Sequence, residues 1–377
     1  TARLADYMLQ DSGKIHEYDA EYVNKNRVKR GEDPIEPLYT IADAERVTPL
    51  FQPKEYGQNF EAAPGVAVRF VDSGHILGSA SIVLDIEENG RKFRLWFSGD
   101  IGRKNLALIN DPVLPVGADF MIMECTYGDK PHREPESAYS ELRDTLNRTI
   151  ERRGKVIIPA FAVGRTQEIV YSINRMMSSG EVPTVPVYVD SPLAARTTRV
   201  FQEFAHTFDQ ETQEFVLSGR HPALSFPQLT YIEDAQDSKA LNDRHEPMVI
   251  IAASGMAEAG RVLHHLRNNI ENPRNTVLIV SWQAPHTLGR RLADREHTVR
   301  IFGQLHDRRV EVVTIGGYSA HAGQNGLLEY VAATQSSLKK LWLVHGEQDA
   351  ASALTEKLNQ AGFANIEYPS QGTMVEI

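Results

Sequence analysis

Cysteine is nearly absent. Cys125 is the only one in 377 residues, so no internal disulfide can form. That excludes a disulfide-stapled secreted scaffold and points to a reducing compartment, the cytoplasm by default. Long apolar runs are missing too: no stretch of about 18 apolar residues occurs, which excludes a hydrophobic membrane-crossing helix. The first residues carry neither an initiator Met nor the charged-then-apolar pattern of a secretion signal. Leu4, Tyr7 and Met8 fall at helical spacing, so the sequence is expected to begin inside a fold, with a segment preceding it. An excess of basic residues is also lacking. The net charge of −10 argues against a protein that coats nucleic acid by bulk charge. What is present is an ordinary globular composition, 41% hydrophobic and 24% charged, long enough for two domains or one domain with a large insert.

Charge is unevenly spread. Residues 138–310 carry 21 Lys+Arg and 20 Asp+Glu, whereas residues 1–137 sum to −7 and residues 311–377 to −4. The middle leans to arginine, including Arg165, Arg196, Arg261 and Arg290, whose planar fork suits phosphate. No internal repeat or low-complexity tract occurs. Residues 1–31 read as a helix closing before Gly31, and a short helix is predicted near Asp43 to Val47. Runs at 66–71, 80–86, 93–97 and 120–123 read as strands.

Between 138 and 310 the rhythm is strand, small-residue loop, helix. Strands near 155–161, 185–189, 247–252 and 277–280 alternate with helices, which predicts a parallel sheet with ligands at the carboxyl ends of its strands. Gly164, Ser191 and Gly255 are placed at helix starts, where free N–H groups and the positive end of the helix dipole suit a phosphate oxygen. Arg165 and Arg261 stand beside two of these turns and strengthen the phosphate reading.

Five strand-like runs end on residues able to hold a metal or move a proton: 66–71 before Gly74-His75, 93–97 before Gly99-Asp100, 120–123 before Glu124, 312–315 before Ser319-Ala320-His321, and 341–344 before His345-Gly346. Parallel strands align their carboxyl ends, so all five are expected on one edge, where imidazole and carboxylate suit Zn²⁺. His264 and His265, in a helix, and His16, His206, His221 and His297, in polar surroundings, are read as structural.

The ordered strings Gly74-His75-Ile-Leu-Gly78-Ser79, Ser98-Gly99-Asp100-Ile-Gly, Glu124-Cys-Thr-Tyr-Gly128-Asp, Ser319-Ala-His321-Ala-Gly and Val344-His345-Gly346-Glu347 resemble the third and fourth metallo-β-lactamase motifs followed by motifs A, B and C of the β-CASP nucleases. The middle also matches, through Ile158 to Glu168, Asp190-Ser-Pro192, Ser254-Gly-Met256 and Thr287-Leu-Gly-Arg290. The chain looks most like bacterial and archaeal relatives of the nuclease subunit of the cleavage and polyadenylation specificity factor.

The resemblance implies an α/β fold: a metallo-β-lactamase αββα sandwich, incomplete at its N-terminus, in pieces 1–137 and 311–377, interrupted by a β-CASP domain at 138–310 with a mainly parallel sheet. It implies two Zn²⁺ ions, with His75 on one, Asp100 bridging and His345 on the other. His321 would donate a proton to the leaving oxygen and Glu124 would orient a histidine by hydrogen bonding. Arg165, Ser191, Ser254, Arg290 and Ser319 are the expected substrate contacts, with Trp282 and His286 as candidates for setting preference.

Two departures matter. The family's His-x-His-x-Asp-His string occurs nowhere in the chain and is expected upstream of it, so only three ligands of a dinuclear set are present and few or no ions are predicted for these residues by themselves. Gly323 stands where many relatives carry Asp. Cys125 replaces a more frequent Ser or Thr and, with no basic neighbour in sequence, is read as a packed residue rather than a nucleophile.

The activity implied is a zinc-dependent endoribonuclease in which a metal-held hydroxide attacks a phosphodiester of single-stranded RNA, in processing or decay. Alternatives are a 5′ exoribonuclease of the same superfamily and a non-catalytic RNA-binding scaffold. A small-molecule hydrolase is disfavoured by the large insert. No membrane partner is expected, and a homodimer is left open.

Overall fold

The computed structural model describes residues 1–131, 135–218, 222–375 and 377; His221, read above as structural, lies outside them. The chain opens with α1 (Ala2–Lys29), which stops before Gly31, and α2 (Ile41–Val47), started by a Thr40–Asp43 capping box. Five strands follow: β1 (Phe60–Ala63), β2 (Val66–Asp72), β3 (Ala80–Glu88), β4 (Arg91–Phe97) and β5 (Phe120–Glu124). The middle segment then alternates, as its rhythm predicts: α3 (Pro135–Glu151), β6 (Lys155–Pro159), α4 (Arg165–Ser179), β7 (Val187–Val189), α5 (Pro192–Glu203), α6 (Gln210–Leu217), β8 (Leu229–Tyr231), α7 (Ala235–Ala240), β9 (Met248–Ala252), α8 (Arg261–Asn269), β10 (Thr276–Ile279) and α9 (Leu288–Ala293). A small hairpin, β11 (Thr298–Ile301) with β12 (Gln304–Asp307), precedes β13 (Glu311–Thr314), α10 (Gln324–Ala332), β14 (Lys340–Val344), α11 (Gln348–Gln360) and β15 (Ile366–Glu367).

Two large sheets result. The first has order β1-β2-β3-β4-β5-β14-β15, antiparallel from β1 to β4 and parallel from β4 to β15. Two antiparallel steps restore direction, so β2, β4, β5 and β14 all end on one edge. Strand alternation sorts the side chains. Val83, Trp96, Met121, Met123, Leu341 and Leu343 bury one face under Leu327, Tyr330 and Val331 of α10 and Leu354 and Leu358 of α11. The opposite face carries the cross-strand row Phe70, Ile82, Phe97 and Ile122, only half-buried, with Phe97 39% exposed.

The second sheet, β13-β10-β6-β9-β7-β8, is parallel throughout, and every residue of β6, β9 and β10 is buried. Val156, Ile158, Val249, Ile251 and Leu278 face one helical layer; Ile157, Val277 and Ile279 face another, under α8. Each such aliphatic side chain contributes about 1.5–3 kcal/mol by leaving water. The mixed α/β architecture with a parallel-rich insert matches the predicted fold class. β13 extends the middle sheet: residues 311–314, expected in the C-terminal piece, form its edge strand, and Ile315 and Tyr318 join its core. Among the described residues, no helix is long and apolar enough to cross a membrane.

Candidate active site

Four of the five strand-end residues sit where parallel strands should put them. His75 follows β2, Asp100 follows β4, Glu124 ends β5, and His345 follows β14, with Val344 paired to Glu124 in register. The fifth is a correction. His321 follows β13, which belongs to the other sheet, so it reaches the edge by a different route. A short helical turn at Gly316–Tyr318 carries the chain across. Residue 321 then pairs with Gly102 in an antiparallel bridge, through Ala322 N–H to Ile101 O at 2.7 Å and Arg103 N–H to Ala320 O at 3.2 Å. Gly102 is required there, because a Cβ would fall 1.6 Å from the carbonyl oxygen of Gly74. That packing also presses the His75 loop against the His321 loop, and their rings lie 4.4 Å apart.

Asp100 stands between two histidines. One carboxylate oxygen is 3.1 Å from His345 Nδ1 and the other 3.9 Å from His75 Nε2. Donor atoms of His75, Asp100 and His321 form one trio within 4.8 Å of one another, and those of Glu124, His321 and His345 form a second that shares His321. The donors are imidazole nitrogen and carboxylate oxygen, a set that suits zinc. His75 Nδ1 is buried without a hydrogen-bond partner among the described residues. Burial first, and then the neighbouring His321, push the His75 pKa down to about 4, so its ring is neutral at physiological pH, the form a metal requires.

Glu124 is 1% exposed and fully engaged. Its oxygens accept from Ile101 N–H at 2.7 Å, from Thr126 N–H at 3.3 Å, and from His321 Nδ1 at 3.0 and 3.1 Å. Burial by itself would raise its pKa; the hydrogen bond and charge of His321 hold it below the usual carboxylate range. The same pair works in reverse on His321. Burial opposes its charged form, but the Glu124 bond and charge win and raise its pKa. With Nδ1 engaged, Nε2 is the nitrogen left for chemistry.

A cavity of about 480 Å³ opens beside these residues, with His75, Tyr127, Phe161, Arg165, Trp282 and His321 among its lining. Ser319, predicted to contact substrate, lines it too, and its side chain is hydrogen-bonded with that of Tyr127. Arg165 lines it but is buried and ion-paired with Glu168, near the Tyr318 ring. The other expected substrate contacts are not among the described lining residues. Ser191 Oγ caps α5 by accepting from Ala194 N–H at 3.2 Å. Ser254 Oγ accepts from the N–H groups of Glu258 and Ala259. Arg290 pairs with Asp294 at 2.8 Å on the surface. Arg261 holds Asp190 at 2.6 Å, and Gly255 does not start a helix: α8 begins after Gly260. Thr126, Tyr127 and Phe161 lie inside the motif strings but stand out there by neither charge nor metal-donor chemistry, so the sequence does not mark them as site residues.

Residues 166–292 match the family described as Beta-Casp domain, and residues 306–369 the family described as Zn-dependent metallo-hydrolase RNA specificity domain. Ribonuclease TTHA0252 of Thermus thermophilus is 37% identical over 327 residues, covering 87% of this chain and 73% of that protein. An RNase J-like protein of Methanocaldococcus jannaschii is 32% identical over 302 residues, 78% of this chain and 66% of its own length. Transcription termination factor FttA of Thermococcus kodakarensis is 30% identical over 337 residues, 86% of this chain but 51% of that protein. The chain thus spans about half the length of this termination factor and about two thirds to three quarters of the other two relatives.

Proposed function

The chain belongs to the β-CASP family of metallo-β-lactamase-fold RNA nucleases, and from that premise we propose that it takes part in zinc-dependent hydrolysis of internal phosphodiester bonds in single-stranded RNA, with His75, Asp100 and His345 as metal ligands. One observation carries the reading: Asp100 turns one oxygen toward each of two histidines, while a buried Glu124 holds a third histidine beside them. Three side chains do not complete two zinc spheres, so other donors, water and substrate take the remaining positions. Zinc bound there would lower the pKa of water and neutralise phosphate charge.

The chain's own residues supply the proton chemistry. Glu124 fixes Nδ1–H of His321, which sets the tautomer and leaves Nε2 to hand a proton to the departing ribose oxygen. Glu124 raises the pKa of His321 and so favours the protonated ring that an acid needs. Neutral His75 presents a lone pair without protonation cost.

The test pairs Asp100→Ala and His321→Ala in protein whose wild type has been shown by elemental analysis to hold zinc and to cleave RNA. Asp100→Ala is expected to lose metal, read by elemental analysis, together with cleavage. His321→Ala should keep metal and lose about 10²–10⁴ in kcat. Full turnover by His321→Ala would reject the acid role, and undiminished cleavage under strong chelation would reject the metal. Circular RNA separates the modes, because a 5′ exonuclease leaves it intact.

A further inference from the structure

The wall that the middle segment turns toward the histidine cluster offers RNA little uncommitted charge. Arg165, which lines the cavity, is held by Glu168; Arg261, Arg290, Ser191 and Ser254 are not among its lining residues and are bonded to Asp190, to Asp294 and within their own turns. What the wall offers is ring surface. Phe161 follows β6 and is 43% exposed; Trp282 follows β10 and is 47% exposed; both line the cavity that holds His75 and His321. Two strands buried along their whole length thus each deliver a large exposed aromatic to the same cleft.

These rings are mounted on one packed unit. A Cβ on Gly255 would lie 2.9 Å from the Phe161 ring, so only glycine lets that backbone rest against it. Gln283, next to Trp282 and 5% exposed, donates Nε2–H to Gly255 O at 3.0 Å and ties the tryptophan loop to the same turn. Rings held in place lose little freedom on binding a flat partner.

We propose that Phe161 and Trp282 are a nucleobase-stacking pair that grips unpaired nucleotides beside the scissile phosphate, so that the cleft selects single-stranded over duplex RNA. The pair rests on the ribonuclease reading above. Every base has a π face, so such a grip tolerates sequence, whereas bases in a duplex are already stacked on one another.

Binding is measured on the 377-residue chain by fluorescence anisotropy at one fixed salt concentration, with chelator present so that RNA stays intact. The probes are a labelled oligoadenylate and an abasic ribose-phosphate oligomer of equal length and charge. Phe161→Ala and Trp282→Ala should each weaken oligoadenylate binding about 10-fold, leave the weaker abasic binding unchanged, and keep the wild-type urea midpoint. Trp282→Phe should recover most of the loss. Equal affinity of the wild type for both probes, or wild-type oligoadenylate affinity in both alanine variants, overturns the stacking pair and leaves the ribonuclease reading standing. No binding of either probe by the wild type overturns that reading, and the pair with it.

Discussion

Each half of this molecule contains a buried carboxylate bonded to a histidine, and the two pairs differ in what the histidine faces. In the middle domain Asp190 has no exposed surface and accepts from His265 Nε2 at 2.6 Å, from Arg261 at 2.6 Å and from Ser238 at 2.5 Å. His265 is itself 1% exposed. Beside the cleft, Glu124 is equally buried, but its partner His321 keeps 21% of its side chain exposed and lines the cavity. The chemistry of the pair is the same. What differs is whether the imidazole reaches the cavity, and on the function proposed above that separates a structural knot from a proton-transfer device.

The largest expected effect breaks the knot. Asp190 joins the end of β7 to α7 and α8, so Asp190→Ala strands a buried histidine, an arginine and a hydroxyl at once and should cost about 3–5 kcal/mol in urea unfolding. The pH dependence has a definite sign. Burial would raise the Asp190 carboxyl, but its three donors, His265 foremost, hold it below the usual range. Its contribution is therefore complete above the unfolded value near pH 4 and fades as pH falls through the folded one. The gap between wild type and variant should narrow in acid; a gap that is constant from pH 7 to pH 3 would mean that the carboxylate is not what holds these elements.

Next in size is Glu124→Gln, which keeps the shape and removes the charge. Loss of an orienting partner of this kind typically costs 10–100-fold in activity. The sharper readout is the pH profile. Glu124 raises the His321 pKa against its burial, and in the acid role proposed above His321 acts when protonated, so that proposal has activity fall as pH rises through that pKa. Without the carboxylate charge the alkaline limb should move to lower pH. An unmoved limb together with reduced kcat would place Glu124 among the packing residues and erase the contrast with Asp190.

Much of this was legible in the sequence, and the failures are instructive. Strand and helix positions follow from period and from caps such as Ser191-Pro192, and four of the five strand ends converge because sheet direction orders them. A four-residue strand such as Glu311-Val-Val-Thr314 does not say in sequence which sheet it joins; its pairing with β10 decides. Of the three expected phosphate turns, one lies elsewhere than the sequence suggests. Gly164 and Ser191 do precede α4 and α5, with the Ser191 oxygen capping its own helix, but Gly255 precedes a turn and α8 begins only after Gly260. Arg165 and Arg261 look free in sequence because their carboxylate partners, Glu168 three residues on and Asp190 on another strand, become partners only once folded.

The smallest expected effect lies next to the most reactive pair. Cys125 adjoins Glu124 in sequence, yet it is fully buried, its thiol donates to Val344 O at 3.3 Å, and burial followed by the Glu124 charge pushes its pKa up to about 12. At that value the thiolate is scarce, and the thiolate is the nucleophile. Iodoacetamide at pH 8 should leave native protein unlabelled and react only in denaturant. Serine can donate to the same carbonyl, so Cys125→Ser should stay within about 1.5 kcal/mol in stability and about twofold in kcat. Rapid native alkylation, or a kcat loss as large as that of Glu124→Gln, would show that the proposed proton-transfer group extends one residue past the end of β5.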